Sequence, residues 1–234
     1  MAAAAEAPAP YDSRRYVLPA TARIPNSQFP LVHYKGVFAS EVAASPSATA
    51  AAAYARFAAN GWRTNWIFRY GDTQRSHYHR AHECMVVLTG TATIRFGVAD
   101  TADDLDANTH GHAWEDGGLE LQAEAGDVFL LPAGLAHKTY ATQPRAAFQL
   151  LTPGDGHSLG PGTLDEHAVT LRALSLDGYT MMGCYPADSE TWDFRVGGED
   201  VGHFEDIWSI PVPALDPVFG DRPEGIRGTW QRPS

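Results

Sequence analysis

The stretch Gly71–Gly90 reads GDTQRSHYHRAHECMVVLTG. Within it, His77, His79, His82 and Glu83 fall inside seven residues. Imidazoles and a carboxylate are costly to crowd together unless something binds them. In an extended chain successive side chains alternate faces, so His77 and His79 point one way and Tyr78 the other. Glu83 follows a three-residue step in which the chain can turn or bulge and aim the carboxylate back. His82 and Cys84, its neighbours, should then face away, Cys84 as a packed thiol. A fourth candidate, His137, ends a run that begins GDVFLLPAGLAH at Gly126. Its distance from Glu83 says nothing by itself, but Pro132-Ala133-Gly134 is a turn signal that can bring a second hairpin beside the first.

The texture around this stretch is that of many short strands. WRTNWIFRY, ECMVVLTG, TATIRFG, LELQAEAGDVFLLPAG, HKTYAT and AAFQLLTP alternate with Gly, Pro and Asp. This spacing points to a sandwich or barrel, not to alternating βα units. One clear helix precedes them, SPSATAAAAYARFAANG at 45–61, with Ser45 before Pro46 at its start and Gly61 after its end. Tyr54 and Phe57 on that helix should face the body of the fold. Residues 29–38, FPLVHYKGVF, have β character and suggest an outer strand. The segment 99–118 is polar and acidic and too long for a hairpin turn, so it reads as a surface loop or lid. It carries His110 and His112. The segment 181–197 is aromatic and irregular, and the end from residue 209 is Pro-rich and should wrap the outside.

Length and composition set the bounds. A chain of 234 residues suffices for one large β domain. Asp and Glu outnumber Lys and Arg by 28 to 17, a net charge of −11, which disfavours nucleic acid and anionic membranes as partners. No apolar run approaches the ~18 residues of a membrane span. The expected division is a disordered Ala/Pro-rich tail over 1–25, a single domain over 26–220 and a C-terminal tail over 221–234. The start lacks the pattern of a secretory signal, with Arg14, Arg15 and Arg23 leaving organellar transit as the alternative. Two cysteines, Cys84 and Cys184, make no disulfide framework, and the chain lacks an Asn-x-Ser/Thr sequon. Both favour a reducing, cytoplasmic setting.

Two spacings can be written out in full. The first is Gly71, five residues, His77-x-His79, three residues, Glu83, six residues, Gly90. The second is Gly126, five residues, Pro132-x-Gly134, two residues, His137. They resemble the two sequence motifs of the cupin superfamily, the second without its closing asparagine, where Ala141 stands. IPNSQFPLVHYKGVF, the NGW at 60–62, CYPADSETWDFRVG and PVPALDPVFG resemble the YjlB-like branch of single-domain cupins, over most of residues 24–220. The resemblance implies an all-β jelly-roll barrel with one N-terminal helix and an irregular C-terminal wrap. It implies His77, His79, Glu83 and His137 as ligands of one divalent transition metal per chain.

The donor set suits Fe, Mn, Ni, Cu or Zn without choosing among them. Glu83 could also loosen to take a proton, as a catalytic base. Trp66, Phe68 and Tyr70 alternate at period two as barrel wall, and Trp66 and Phe68 are candidates to touch substrate, with Tyr185 and Trp192 of the C-terminal aromatic stretch. Of the two irregular segments, 181–197 is the better entrance, because it can supply apolar walls. The expected activity is a metal-dependent oxidoreductase of dioxygenase type on a small oxygenated molecule, with isomerase or lyase chemistry next. The alternative is a non-catalytic small-ligand or scaffold module. A homodimer is expected, the strand within 30–38 covering an edge of the partner.

Overall fold

The computed structural model describes residues 12–189 and 192–231. The first 11 residues of the expected tail lie outside that description. The rest of that tail, 12–25, is a correction to the sequence reading. Here β1 (Asp12–Tyr16) pairs antiparallel with β2 (Leu31–Lys35). Leu18 and Ile24 are buried, and Asn26 donates to the carbonyls of Pro19 and Gly97 at 2.6 and 2.9 Å. The composition of the first ten residues hid a segment whose backbone is tied down by its own pairing. Arg23, one of three arginines that left organellar transit as an alternative, clamps the carbonyls of Asp100 and Gly197 at 2.7 and 3.1 Å.

Two helices follow, α1 (Ala39–Ala44) and α2 (Pro46–Ala59). The Ser45 hydroxyl accepts from the Ala48 N–H and Pro46 takes the first turn, so α2 begins where its cap allows. Tyr54 and Phe57 are buried against the strands that come next. Those are β3 (Trp62–Tyr70), β4 (Glu83–Thr89) and β5 (Thr91–Phe96), then α3 (Leu105–Thr109), β6 (Leu119–Glu124), β7 (Val128–Leu131), β8 (His137–Gln143) and β9 (Gln149–Leu150). The chain closes with α4 (Leu164–Arg172), β10 (Tyr179–Pro186), α5 (Phe204–Trp208) and α6 (Ile226–Thr229).

Among the described residues the strands form two antiparallel sheets. One runs β1-β2-β7-β4-β10-β3-β9, the other β6-β5-β8. Their inner faces pack on each other through Met85, Val87, Phe129 and Met181 on one side and Ala92, Ile94 and Phe96 on the other. The outer face of the larger sheet is also buried. Cys84, Val86, Leu88 and Cys184 lie under α2 with Tyr54 and Phe57. This explains why β4 reads as a continuous apolar run. The ladder between β3 and β10 shifts register at Gly183/Cys184, passing over Asn65. The shift turns Trp66, Phe68 and Tyr70 inward, while Trp62 and Thr64 before it face out.

Three further expectations are corrected. The strand within 30–38 is no outer strand, because β2 is flanked on both sides by β1 and β7 of its own chain. The helix at 45–61 is joined by short helices elsewhere, among them α4, whose capping box of Thr163 and Glu166 sits outside the strand pattern. The described part of the expected C-terminal tail, 221–231, is tied down too. Ile226 and Trp230 are buried, and the Trp230 indole donates to Pro30 O at 2.9 Å. The acidic segment 99–118 packs on the outside of the smaller sheet. Arg95 lies 3.5 Å over the Trp114 ring, and Glu115 accepts from Thr21 Oγ1 and the Ala99 N–H at 2.7 and 3.0 Å.

Ala141, where the second motif lacks its asparagine, holds φ +50° at an exposed position of β8. A left-handed conformation costs an alanine roughly 1 kcal/mol, and asparagine tolerates it better. Ala141→Asn should therefore raise stability by about 0.5–1 kcal/mol, a melting shift of about 1–4 °C for a chain of this size. A scan showing no gain or a loss would contradict this account of the turn.

Candidate metal centre

The segment 76–79 is held between two others by backbone bonds. His77 and His137 exchange N–H···O bonds at 3.1 and 2.8 Å, which sets their rings side by side with centroids 4.3 Å apart. Tyr78 and Arg195 exchange a second pair at 2.8 and 3.1 Å. Alternation then works as the sequence suggests. His77 and His79 face inward, while the Tyr78 hydroxyl turns away to donate to Asp200 at 2.7 Å. The Ala133 N–H donates to His82 Nδ1 at 3.0 Å, and His82 Nε2 faces Pro211 O at 3.2 Å. His82 therefore lies off the site. His110 lies there too, 4.0 Å from Asp72, as does His112, packed near Trp114.

Each inward histidine has its Nδ1 against a backbone carbonyl: His77 on Arg75 at 3.0 Å, His137 on Leu135 at 3.3 Å, and His79 on Asp193. A carbonyl only accepts, so each Nδ1 carries the proton and each Nε2 keeps a lone pair. Donor nitrogens of the three rings lie within 4.8 Å of one another. Glu83, at the start of β4, brings Oε2 to 3.7 Å from His79 Nε2 and 3.5 Å from His137 Nε2. Its Oε1 accepts from the Tyr185 hydroxyl. Its Oε2 is buried with no hydrogen-bond partner.

That orphaned oxygen tests the fit of a metal. A buried carboxylate oxygen without a donor costs at least ~1–3 kcal/mol, and two of the rings beside it, His77 and His137, are held toward the neutral form. Burial, then the neighbouring imidazoles, holds His77 well below the usual value. Burial also pushes His137 down to about 4, against the pull of Glu83. Two donors each ~2.1 Å from one ion sit at most ~4.2 Å apart, so the set needs only slight closure. Three neutral nitrogens and one carboxylate thus fit a divalent ion, with the identity of the metal left open.

The four groups form the floor of a cavity of about 100 Å³. Trp66, Phe68, Tyr185 and Trp192 all line it, joined by Tyr70, Gln74, Phe148 and Phe194. Gly183 makes room for Trp66, since a Cβ there would meet the indole at 2.0 Å. The Trp192 ring lies 5.6 Å from that of His79, and Phe194 stacks on His77 at 4.3 Å. Segment 181–197 therefore borders the cavity, and 99–118 contributes no residue to its lining. Cys84 and Cys184 are free thiols on the opposite face of the sheet.

Sequence reasoning missed the support beneath His79. Asp193 offers its carbonyl to His79, its Oδ1 to the Arg80 N–H at 2.7 Å and its Oδ2 to Arg195, which also pairs with Asp200 at 3.1 Å. The only hint was the acid–base alternation in DFRVGGED. Gln74 and Phe148 were missed as well: each lies in a stretch that was noted, the motif and the run AAFQLLTP, but nothing in either marked these residues as lining the cavity.

Purified protein should carry one metal per chain, and His79→Ala should lose most of it by elemental analysis. Full occupancy in that variant would remove His79 from the ligand set. The metal-free protein should also weaken in acid. His77, His82 and His137 are all held below the ordinary imidazole value, with His82 also near 4 through burial. Between about pH 6.5 and pH 4 the unfolded chain takes up protons that the folded one refuses. Stability should fall across that window by up to about 1.4 kcal/mol per pH unit for each imidazole. Denaturant midpoints that stay level from pH 7 to 4.5 would argue against it.

A family model described as Cupin matches residues 74–166. The uncharacterized protein YjlB of Bacillus subtilis (strain 168) is 24% identical over 226 residues, covering 94% of this chain and 97% of its own. Similar solved structures include RmlC from Streptococcus suis in complex with dTDP-D-xylose, at TM-score 0.27 and 14% identity over 60% of this chain and 54% of that one. Procruciferin, an 11S globulin from Brassica napus, gives TM-score 0.24 and 11% identity over 55% of this chain and 20% of its own. YcfD, a ribosomal oxygenase from Escherichia coli, gives 0.25 and 14% over 68% and 31%. The chain thus spans from a fifth to about half of these three structures. With both motifs in place, a match to the Cupin family model over residues 74–166 and a relative similar from end to end support reading the chain as a YjlB-like protein of the cupin superfamily.

Proposed function

We propose that the chain is a single-domain metal-dependent enzyme acting on a small oxygenated organic molecule. Oxidation by O₂ is the leading reaction, with isomerase or lyase chemistry next. The observation that carries this reading is the convergence of His77, His79, His137 and an unpaired Glu83 oxygen on the floor of a small aromatic-walled cavity. Those four residues would hold one Fe, Mn, Ni, Cu or Zn ion, which supplies Lewis acidity and, where redox-active, one-electron chemistry.

The chain's own groups have separable tasks. The Tyr185 hydroxyl donates to Glu83 Oε1, fixing the carboxylate so that Oε2 faces the cavity. Glu83 is the one carboxylate in the lining among the described residues, so a substrate proton would pass to it. Burial, and then the Glu83 charge, raise the Tyr185 hydroxyl well above its ordinary range, so it stays a donor. The rings around the mouth exclude water. Oxidation is favoured over isomerisation by the scarcity of acid–base groups. Moving a proton between two faces of a substrate asks for two of them, whereas Glu83 and Tyr185 lie together.

Anaerobic loading of the full chain with Fe(II), followed by oxygen-uptake screening of small oxygenated compounds, tests this. Uptake coupled to turnover is expected, and Tyr185→Phe should keep its metal but lose on the order of tenfold or more in turnover. Turnover without oxygen uptake would shift the reading to isomerase or lyase. No turnover with any of the five metals would sink the enzyme and leave a non-catalytic binding or scaffold cupin.

We further propose a homodimer in the cytoplasm. Among the described residues β1 leaves one edge of the larger sheet unpaired, an edge that a second copy can cover. A monomer mass by light scattering at micromolar concentration would reject the dimer. Cys84 and Cys184, free in the fold, fit a reducing compartment, and no helix among the described residues is long and apolar enough to cross a membrane. Recovery of the native protein outside the cytoplasm on cell fractionation would reject the location.

A further inference from the structure

Resting on the metal-centre reading above, we propose the class of ligand the cavity takes: a molecule built on one flat, apolar ring-sized body, with all its polar atoms at one end. Volume is the first argument. The cavity holds about 100 Å³. Benzene occupies an engineered cavity of roughly 150 Å³, and pockets for drug-sized ligands run to roughly 300–1,000 Å³. One ring reaching into the mouth fills this space, and a two-ring or sugar-nucleotide ligand does not.

Shape and polarity divide the space the same way. Trp66 and Phe68 lie 4.9 Å apart, and Phe148 stacks on Phe68 at 5.1 Å and 23°. Trp192 comes from the other irregular segment. Its indole N–H donates to Gly156 O at 2.9 Å and its ring stacks on His157 at 4.5 Å and 16°. A wall held in this way loses little freedom when a ligand arrives. Phe148 and Phe194 are 59% and 51% exposed at the rim, apolar surface that an apolar body would cover.

The three imidazoles, Glu83 and the Tyr185 hydroxyl on it lie together as one polar end. Gln74, also in the lining, has its Oε1 taken by the Thr139 N–H at 3.1 Å, which leaves its NH₂ as a donor for a ligand oxygen. No Lys or Arg lines the cavity among the described residues. A second charged group, away from the metal, would be stripped of water with nothing to pair it. The geometry thus selects against phosphorylated compounds, dicarboxylates and amino acids, and in favour of a single-headed aromatic or similarly flat molecule.

Three metal-chelating probes separate these requirements: acetohydroxamate, benzohydroxamate and 4-carboxybenzohydroxamate, titrated into the Ni(II)-loaded full chain. Calorimetry and intrinsic tryptophan fluorescence read binding without turnover. Benzohydroxamate should bind at least about tenfold tighter than acetohydroxamate. The added carboxylate should erase most of that gain, and Trp192→Ala should narrow the gap between the first two. Equal affinity for the acetyl and benzoyl compounds, or undiminished binding of the carboxylated one, would overturn the proposal and leave the metal centre standing. If none of the three bound to protein shown by elemental analysis to hold its metal, the metal-centre reading would fall, and this proposal with it.

Discussion

Three ring N–H groups donating to backbone carbonyls hold the candidate site together. Without them each imidazole could present either nitrogen, and a buried cluster of three would have no common direction. The carbonyls of Arg75, Leu135 and Asp193 fix the tautomers and leave every Nε2 pointing inward. The carbonyls can do this because of the pairing around them. His77 and His137 exchange a pair of backbone bonds in an isolated bridge beside the smaller sheet. Asp193 is in turn fixed by Arg80 and Arg195. The site is therefore built from main-chain geometry more than from side-chain contacts.

Register does the same for the carboxylate. Cys84 of β4 and Cys184 of β10 are direct partners across the ladder. In an antiparallel pair that places their neighbours Glu83 and Tyr185 together on the inner face. A slip of one residue would send both to the outer face, under α2. The outer cluster resists such a slip, because Val86, Leu88 and Met182 on that face are buried with Tyr54 and Phe57. The helix, remote from the metal centre, thereby secures the contact that orients Glu83.

Much of this was legible beforehand, for physical reasons. Ligand residues sit at short, fixed intervals because a strand alternates and a turn closes within three residues. The aromatic wall of β3 showed because its period of two survives in sequence. What was hidden depends on groups a sequence does not display. The Asp193 carbonyl is main chain. The role of Gly183 rests on the Trp66 ring beside it. The expected tails were misread because composition measures what a segment could bury alone. β1 has few buried side chains and gains its order from backbone pairing with β2. Trp230 is a single large side chain in a polar surrounding, and one ring packed on Phe29 and His82 is enough to anchor it.

The division of labour between the two irregular segments follows from charge. The chain carries −11, and the acidic segment 99–118 holds a concentrated share of it. Placed at the mouth, those carboxylates would have to be desolvated as a ligand entered. Placed on the outer face of the smaller sheet, they meet Lys138, Arg75 and solvent instead, with Lys138 wholly buried against Asp100 at 3.0 Å and Asp103 4.0 Å from Arg75. The mouth falls to the segment that can be dried without cost, which is the aromatic one. A negative surface around a neutral mouth then acts as a filter. It raises the local concentration of cations and lowers that of multiply charged anions before any contact is made. The field of the whole chain and the lining of the cavity would thus discriminate in the same sense, toward a metal ion at the candidate site and, as proposed, a ligand with at most one charged end.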